Sequence, residues 1–367
     1  MKKWNWLLTW GFFCLAVFAD VRNTDRPLKG EWDFRPQKVW EIDRANGAPL
    51  ARPAELRAAQ DETLVFRDFD QNVSYVFDRD GKLVNSFAKQ GSGPGEVDRY
   101  LNCFIAGDHV VVGTPGALHF YSRLGAYVES YENNLFARFP LLFLAGSEFL
   151  FTPQEMGQPQ GDRVKIKSVS LHSTQEKVVA EFPNPGKGQA NLPVIVLGLT
   201  PQVKIAVDPK AKKLFYGRSD EYTIHVADTE GTRMFSFGLE RMRKSAAEDE
   251  KRKHFETSGI PKERYEKILP LLPGELTQFL GIQAVGNLIF VYPTESLDKR
   301  QDRIAVDIFS ANGEYLYRAH LRFGDKSPLY THVEKMALMG NHCYALLQDG
   351  SGRNFLAKYK ISLPPAR

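Results

Sequence analysis

The chain has 367 residues, 43% of them hydrophobic and 25% charged, with a formal net charge of +4. That length suits two ordinary domains or one large all-β domain, and the composition is that of a water-exposed globular protein. A charge so near neutrality speaks against a dedicated nucleic-acid surface, and beyond the N-terminus no run of about eighteen apolar residues exists that could span a bilayer.

The first residues read as a leader. Lys2 and Lys3 precede a mostly apolar run from Trp4 to Phe18, and Val17-Phe18-Ala19 sets small residues at the −3 and −1 positions before Asp20. This is the pattern of a secretory signal cut after Ala19, so 1–19 is expected to be a signal peptide and 20–367 the mature domain. The apolar run is short for a retained anchor, and Cys14, preceded by Gly11-Phe12-Phe13, lacks the small neighbour of a lipid-modified cysteine. Loss of Lys2 and Lys3 with the leader lowers the charge from +4 to +2. The expected location is periplasmic or extracellular.

Downstream, four segments share one pattern: 77–84, 121–128, 227–234 and 309–316. In each, an apolar strand ends at Asp78, Ser122, Asp228 or Ser310. Three residues later comes Gly81, Gly125, Gly231 or Gly313, and then a second apolar strand. Such glycines supply the positive φ of a tight hairpin turn. Hairpins that recur with further strands between them are the signature of a β-propeller, one hairpin to a blade.

The sequence parses as six blades: 56–87, 102–131, 141–182, 203–237, 280–321 and an incomplete sixth over 333–361. The third is degenerate, turning at 173–176 without glycine. The sixth supplies three strands only, and Gln37-Lys38-Val39-Trp40-Glu41-Ile42 is the segment left to provide the fourth. A strand from the N-terminus completing the last blade would close the ring and remove an exposed edge. The fold expected is all-β, a six-bladed β-propeller.

Between the fourth and fifth blades the pattern changes. Interleaved acids and bases from Leu239 to Phe255 and from Ser258 to Leu269 have helix composition, Pro261 suits a first turn, and Pro270 and Pro273 end the run. A helical insertion over about 239–276 follows.

In a propeller the connections from strand two to three, and from strand four to the next blade, emerge on one face. The unusual loops of this chain are of those kinds: 89–100, 183–201, the helical insertion, 154–163 and 294–303. Rigidly supported loops accumulate binding residues, so this face is the expected site, with Arg99, Tyr100, Arg218, Tyr222, Lys299, Arg303 and Arg353 as candidates. The same residues also read as solvated loop charges. The hairpin turns lie on the opposite face and read as structural.

Catalytic patterns are missing: there is no His-Glu-x-x-His, no Cys-x-x-Cys, no nucleophile elbow and no phosphate-cradling loop. Asp68-Phe69-Asp70-Gln71-Asn72 begins like a calcium loop, but Val73 and Arg79 stand where its glycine and glutamate belong, so it reads as a turn. His109, His119, His225 and His342 fall in second or third strands, where packing is their expected role; His332 alone is placed near a channel mouth. Cys103 and Cys343 fall in blades two places apart round the ring, too far for a disulfide, and are expected as buried free thiols. No catalytic residue, metal ligand or cofactor is assigned.

At 87–97 the chain reads F-A-K-Q-G-S-G-P-G-E-V. This resembles the F-G-x-x-G-x-G-P-G-E-F stretch of exported bacterial six-bladed propellers related to NHL-repeat proteins, with Gly91, Gly93, Pro94, Gly95 and Glu96 matching and Ala88 and Val97 departing. The resemblance extends over the hairpins, the charged insertion and the leader. It implies a signal-bearing or lipid-anchored binding propeller and supplies no catalytic residues. The glycines read either as a tight crossing between blades or as an anion-binding nest of backbone N–H groups.

Together these features point to an exported, monomeric, non-enzymatic binding or scaffold propeller. Its partner would be a protein, an envelope polymer or a small ligand at the loop face, with no nucleic acid and no membrane span after leader cleavage. The alternative is a metal-dependent lyase or lactone hydrolase working at the central channel mouth.

Overall fold

The structure, a computed structural model, describes residues 20–132, 141–145, 148–151, 163–173, 175–183, 196, 198–208, 210–256, 261–295, 297, 303–328 and 335–365. Six antiparallel sheets form the blades, each meandering outward from the axis. Blade one is Pro53–Ala58, Leu64–Asp68, Val73–Phe77 and Leu83–Phe87. Blade two is Asn102–Ala106, His109–Thr114, Ala117–Ser122 and Tyr127–Glu132. Blade three is Leu141–Ala145, Glu148–Phe151, Arg163–Ser170 and Glu176–Pro183.

Blade four is Val203–Asp208, Lys213–Arg218, Thr223–Asp228 and Arg233–Glu240. Blade five is Phe279–Val285, Leu288–Pro293, Arg303–Ser310 and Tyr315–Arg322. Blade six has an innermost position shared by Ser327–Pro328 and Met336–Met339, both paired to His342–Gln348, then Asn354–Lys360. Its fourth strand is Gln37–Ile42, antiparallel to Asn354–Lys360 with Ile42 opposite Leu356, so the N-terminal strand closes the ring as expected.

The core is divided among the blade interfaces. One cluster of buried apolar side chains lies between each neighbouring pair of blades, six in all. Between blades one and two it includes Val65, Val76 and Phe87 against Cys103, Val110, Val112 and Tyr121. A blade is apolar on both faces, so it is stable only between two others, and closure of the ring satisfies the last pair. Cys103 and Cys343 are both buried and free.

The repeated hairpin glycines do more than turn the chain. All four have positive φ, and each turn glycine amide donates to the carbonyl of its Asp or Ser partner. A Cβ on Gly81 would meet Trp40 of blade six at 2.9 Å, and one on Gly313 would meet Phe237 of blade four at 2.5 Å. These turns are therefore wedged against the preceding blade. Trp40 Nε1 donates to Arg79 O at 3.0 Å, and Asn85 Nδ2 donates to Leu124 O at 3.0 Å, tying the turns in place.

Residues 20–36 form a belt that the strand pattern of the blades did not anticipate. Asp20–Thr24 pairs in parallel with the outer strand of blade four, and Glu31–Asp33 with that of blade five. Between them the Leu28 and Lys29 amides donate to the carbonyls of Tyr315 and Leu316, 2.9 Å each. Phe34 then enters the core between blades five and six with no exposure.

The helical insertion lies between blades four and five but begins later than its composition suggests. Helix α1 is Glu248–Glu256 and α2 is Lys262–Ile268, followed by the 3-10 turn Leu269–Leu271. Leu239 and Glu240 stay in strand because Leu239 is needed in the core between blades four and five. Pro261 stands just before α2, and Pro270 lies within the 3-10 turn rather than ending the helix outright. Glu62 sits at φ 63 in the turn before Leu64–Asp68, where its carboxylate accepts from Lys358 and Tyr344 of blade six. The segment expected as a turn is one over 69–72, closed by the strand residue Asp68, whose carboxylate accepts from the amides of Ala51, Arg52, Asp70 and Gln71.

Candidate functional site

The crossover over 88–101 carries the glycine-rich motif from blade one to blade two. It folds back on itself: the Val97 amide donates to Lys89 O at 2.9 Å and the Glu96 amide to Gly93 O at 2.9 Å. Glu96 Oε2 accepts from the Gly93 amide at 3.0 Å and lies where a Cβ on Gly91 would be, 2.0 Å away. The motif thus holds its own carboxylate over its backbone. That geometry favours the tight-crossing reading over an anion nest, because Glu96 already takes the Gly93 N–H. Gly95, at φ 75, lies so close to Tyr127 that a Cβ would come within 2.8 Å of it, and its carbonyl accepts from Tyr121 Oη at 3.0 Å.

Beside this crossover is the turn joining strands two and three of blade two. The two connections and the outer half of blade two enclose a cleft of about 600 Å³, with Asp98 and Arg99 on one side and Thr114, His119, Tyr127 and Ser130 on the other. Those last four side chains form a directed chain. Thr114 Oγ1 donates to Ala117 O at 3.3 Å, so at 3.2 Å it accepts from His119 Nε2. The arrangement that makes all four hydrogen bonds puts the ring proton on Nε2, with Nδ1 accepting from Ser130 Oγ at 2.9 Å. Ser130 Oγ in turn accepts from Tyr127 Oη at 2.8 Å. Burial lowers the pKa of His119, which keeps the ring neutral near pH 7 and the direction intact.

Closer to the axis a second polar group packs under the same crossover. Glu55, at φ 56 on the innermost strand of blade one, accepts from Tyr100 Oη and, at 3.0 Å, from the Cys103 amide. The Arg67 guanidinium lies over the Tyr100 ring, 4.3 Å from its centroid, and donates to Ala88 O at 2.9 Å. Phe69 meets the Tyr100 ring edge-on. Burial, reinforced by the Glu55 carboxylate, raises the Tyr100 pKa well above its ordinary value. This group braces the crossover from below.

On blades four and five the loops gather into a satellite core. Val196, Leu199, Phe255, Tyr265, Ile268 and Leu297 pack together, drawing on the blade three-to-four connection, the helical insertion and the strand two-to-three loop of blade five. The Leu297 amide donates to Glu250 Oε1 at 2.7 Å, and the Thr277 amide to Gly198 O at 2.7 Å.

The candidate residues are spread round the loop face rather than drawn into one constellation. Arg99 is exposed in the cleft, while Tyr100, next to it, turns inward to Glu55. Arg218 pairs with Asp220 at 2.7 Å at the end of its strand. Tyr222 is buried between blades four and five, donating to Asp307 Oδ2 at 2.6 Å. Arg303 begins the third strand of blade five, half-buried. Arg353 pairs with Asp349 at 3.0 Å in the strand two-to-three turn of blade six. Lys299 and His332 lie outside the described residues, as do residues 154–162 and most of 183–195.

Thr114, His119, Tyr127 and Ser130 were not among the candidates. His119 was expected to be packed in a third strand, and what brings Ser130 opposite it is a register shift between Phe120 and Tyr121. Among the described residues no group of three His, Cys, Asp or Glu side chains could hold a metal ion. No helix among them is long and apolar enough to cross a membrane.

No protein-family profile and no curated protein matches this sequence. Solved structures do match its fold. The chain is similar to a member of the DUF4221 family from Bacteroides vulgatus, with a TM-score of 0.60 at 11% identity over 90% of this chain and 99% of that one. It is similar also to a putative exported protein from Bacteroides fragilis, with a TM-score of 0.56 at 12% identity over 94% of this chain and 99% of that one. At such identities the likeness is one of fold.

Proposed function

We propose that this chain is an exported, non-enzymatic binding or scaffold propeller, NHL-like in its glycine-rich crossover, that receives its partner on the loop face. The observation that carries this reading is the cleft between the 88–101 crossover and blade two. Its walls are hydrogen-bonded among themselves and held on strands, so the polar groups are oriented before anything binds. The satellite core round the insertion stiffens the same face further along the ring. Export rests on the leader: cleavage after Ala19 would leave Asp20, the first residue of the belt strand, at the new N-terminus.

A photo-crosslinking amino acid placed at Ser92, exposed on the loop face, tests the reading against the same group at Asp80, exposed on the opposite face. Defined adducts in the exporting cell are expected from Ser92 and not from Asp80. Equal labelling from both, or none from Ser92, would discard the loop face as the binding surface. The intact mass of the exported protein should lack the first 19 residues; a mass that retains them would remove the export pathway assumed here.

A further inference from the structure

We infer that the cleft takes an uncharged, polyhydroxylated ligand of the pyranose-saccharide kind, an inference that rests on the loop-face reading and narrows it to a ligand class. Its starting point is the direction of the hydrogen-bonded chain in the wall. Ala117 O, an acceptor only, ends the chain at one side, and in the arrangement that makes all four hydrogen bonds every proton points that way, from Tyr127 through Ser130, His119 and Thr114. The open end is therefore the Tyr127 hydroxyl oxygen, whose proton is committed inward and whose lone pairs face outward. That end calls for an O–H or N–H donor from the ligand.

The rest of the cleft narrows the class. Asp98 and Arg99, both exposed at the rim, offer one acceptor pair and one donor fork side by side, which suits adjacent hydroxyl groups that donate and accept at once. The Tyr127 side chain is 39% exposed and presents an apolar ring surface between these polar groups, a seat for a C–H face. Anions are disfavoured: two carboxylates, Glu96 and Asp98, stand in the wall against the one Arg99 guanidinium, and Glu96 takes the Gly93 N–H that an oxyanion would use. An apolar ligand would strand the Tyr127 oxygen and the rim charges without partners, at a cost of about tenfold or more in affinity for each such group. A sugar ring answers all of these demands together.

The test uses the mature full chain and side-chain NMR of its tyrosines and histidines, titrated with maltotriose, cellotriose, xylotriose and chitotriose to about 20 mM, a range suited to weak sites. At least one trisaccharide is expected to shift the Tyr127 and His119 signals saturably. Tyr127→Phe and Ser130→Ala should each weaken that binding about tenfold, the value of one good hydrogen bond, with the thermal midpoint within a few degrees of the parent's. An anionic, a cationic and an apolar fragment set are titrated in parallel. If only one of these reaches the cleft, the saccharide class is wrong while the loop-face reading stands. If neither sugars nor fragments perturb Tyr127 or His119, the inference fails, and the Ser92 crosslinks then decide whether the loop-face reading fails with it. Binding that survives both substitutions would also overturn it.

Discussion

Arg241 reaches the Asp307 carboxylate with both Nη atoms, at 2.7 and 3.2 Å, and Asp307 has no solvent exposure. Tyr222 and Tyr315 donate to the same carboxylate at 2.6 Å each, and Asp25 of the belt holds Arg241 from the other side at 2.6 Å. Blade four, blade five and the N-terminal belt therefore meet at one buried charge. Removing Arg241 takes away the bidentate partner and leaves Arg318, its Nε 3.5 Å from Asp307 Oδ1, as the remaining cation. Arg241→Met is expected to lower stability by about 3–5 kcal/mol, and Tyr222→Phe by about 1 kcal/mol, read from urea midpoints at constant slope. A loss under about 1 kcal/mol for Arg241→Met would show that water or another cation replaces it.

The turn glycines of blade five separate a backbone effect from a packing effect. Gly286 is at φ 59, and a Cβ there would have nothing within 4 Å, whereas Gly313 is at φ 84 with Phe237 2.5 Å from the same position. Gly286→Ala should cost about 1 kcal/mol for backbone strain alone. Gly313→Ala should cost about 1–3 kcal/mol more, because Phe237 or the turn must shift. Equal midpoints for the two variants would mean that the outer turn of blade five does not bear on blade four.

Acid stability should depend on the seam that closes the ring. Burial tends to raise the Glu62 pKa, but hydrogen bonds from Lys358 and Tyr344 outweigh it and hold the carboxyl at about 2, against an ordinary 4.5. A carboxyl with a depressed folded pKa stabilises the fold above its unfolded pKa and loses that contribution as pH falls towards the folded one. The native chain should therefore lose on the order of 3 kcal/mol between about pH 4.5 and 2 from this group. Glu62→Gln should start less stable at pH 7 and show a shallower decline over that window. Parallel stability curves for the two proteins would rule out Glu62 as a source of acid sensitivity.

Thiol chemistry gives an inexpensive check on the interfaces. Burial pushes the Cys103 thiol up to about 12 and raises Cys343 further, and both side chains are buried. Both should be silent to a disulfide-exchange reagent in the native protein, and both should react once the chain is unfolded in denaturant. Rapid reaction of either in native buffer would show that blade two or blade six opens locally.

The blades were readable because their signals are local. Alternating apolar strands and an Asp- or Ser-initiated turn ending in glycine are decided within about ten residues, so the hairpins at 77–84, 121–128, 227–234 and 309–316 declare themselves. The closing strand could be found by elimination, since three strands of blade six required a fourth. The belt could not. Asp20–Thr24 and Glu31–Asp33 are short edge strands, polar but for Val21 and Trp32, which are half-buried against the core, and their parallel partners lie more than 200 residues away.

The cleft illustrates the same boundary at a finer scale. Arg99 was legible as a loop residue beside an unusual glycine motif, and it does line the cleft. The wall opposite was not, because His119 faces Ser130 only after the register slips by one residue at Phe120 and Tyr121. The same slip precedes the Asp or Ser of all four repeated hairpins, so it belongs to the repeat, but simple alternation along the strand does not show it and it reverses which side chains share a face.

By itself the amino-acid sequence determined the repeat, the turn chemistry, the closing strand and the place of the helical insertion, all of them consequences of short-range periodicity and backbone preference. Tertiary structure alone decided which residues meet across the blades and loops: Asp307 with Arg241, Glu62 with Lys358, Glu96 over Gly91, and the chain from Tyr127 to Ala117. The physical reason is that these contacts depend on distance and register between segments that the local pattern does not relate, where the stabilisation comes from burying and pairing polar groups rather than from any local propensity.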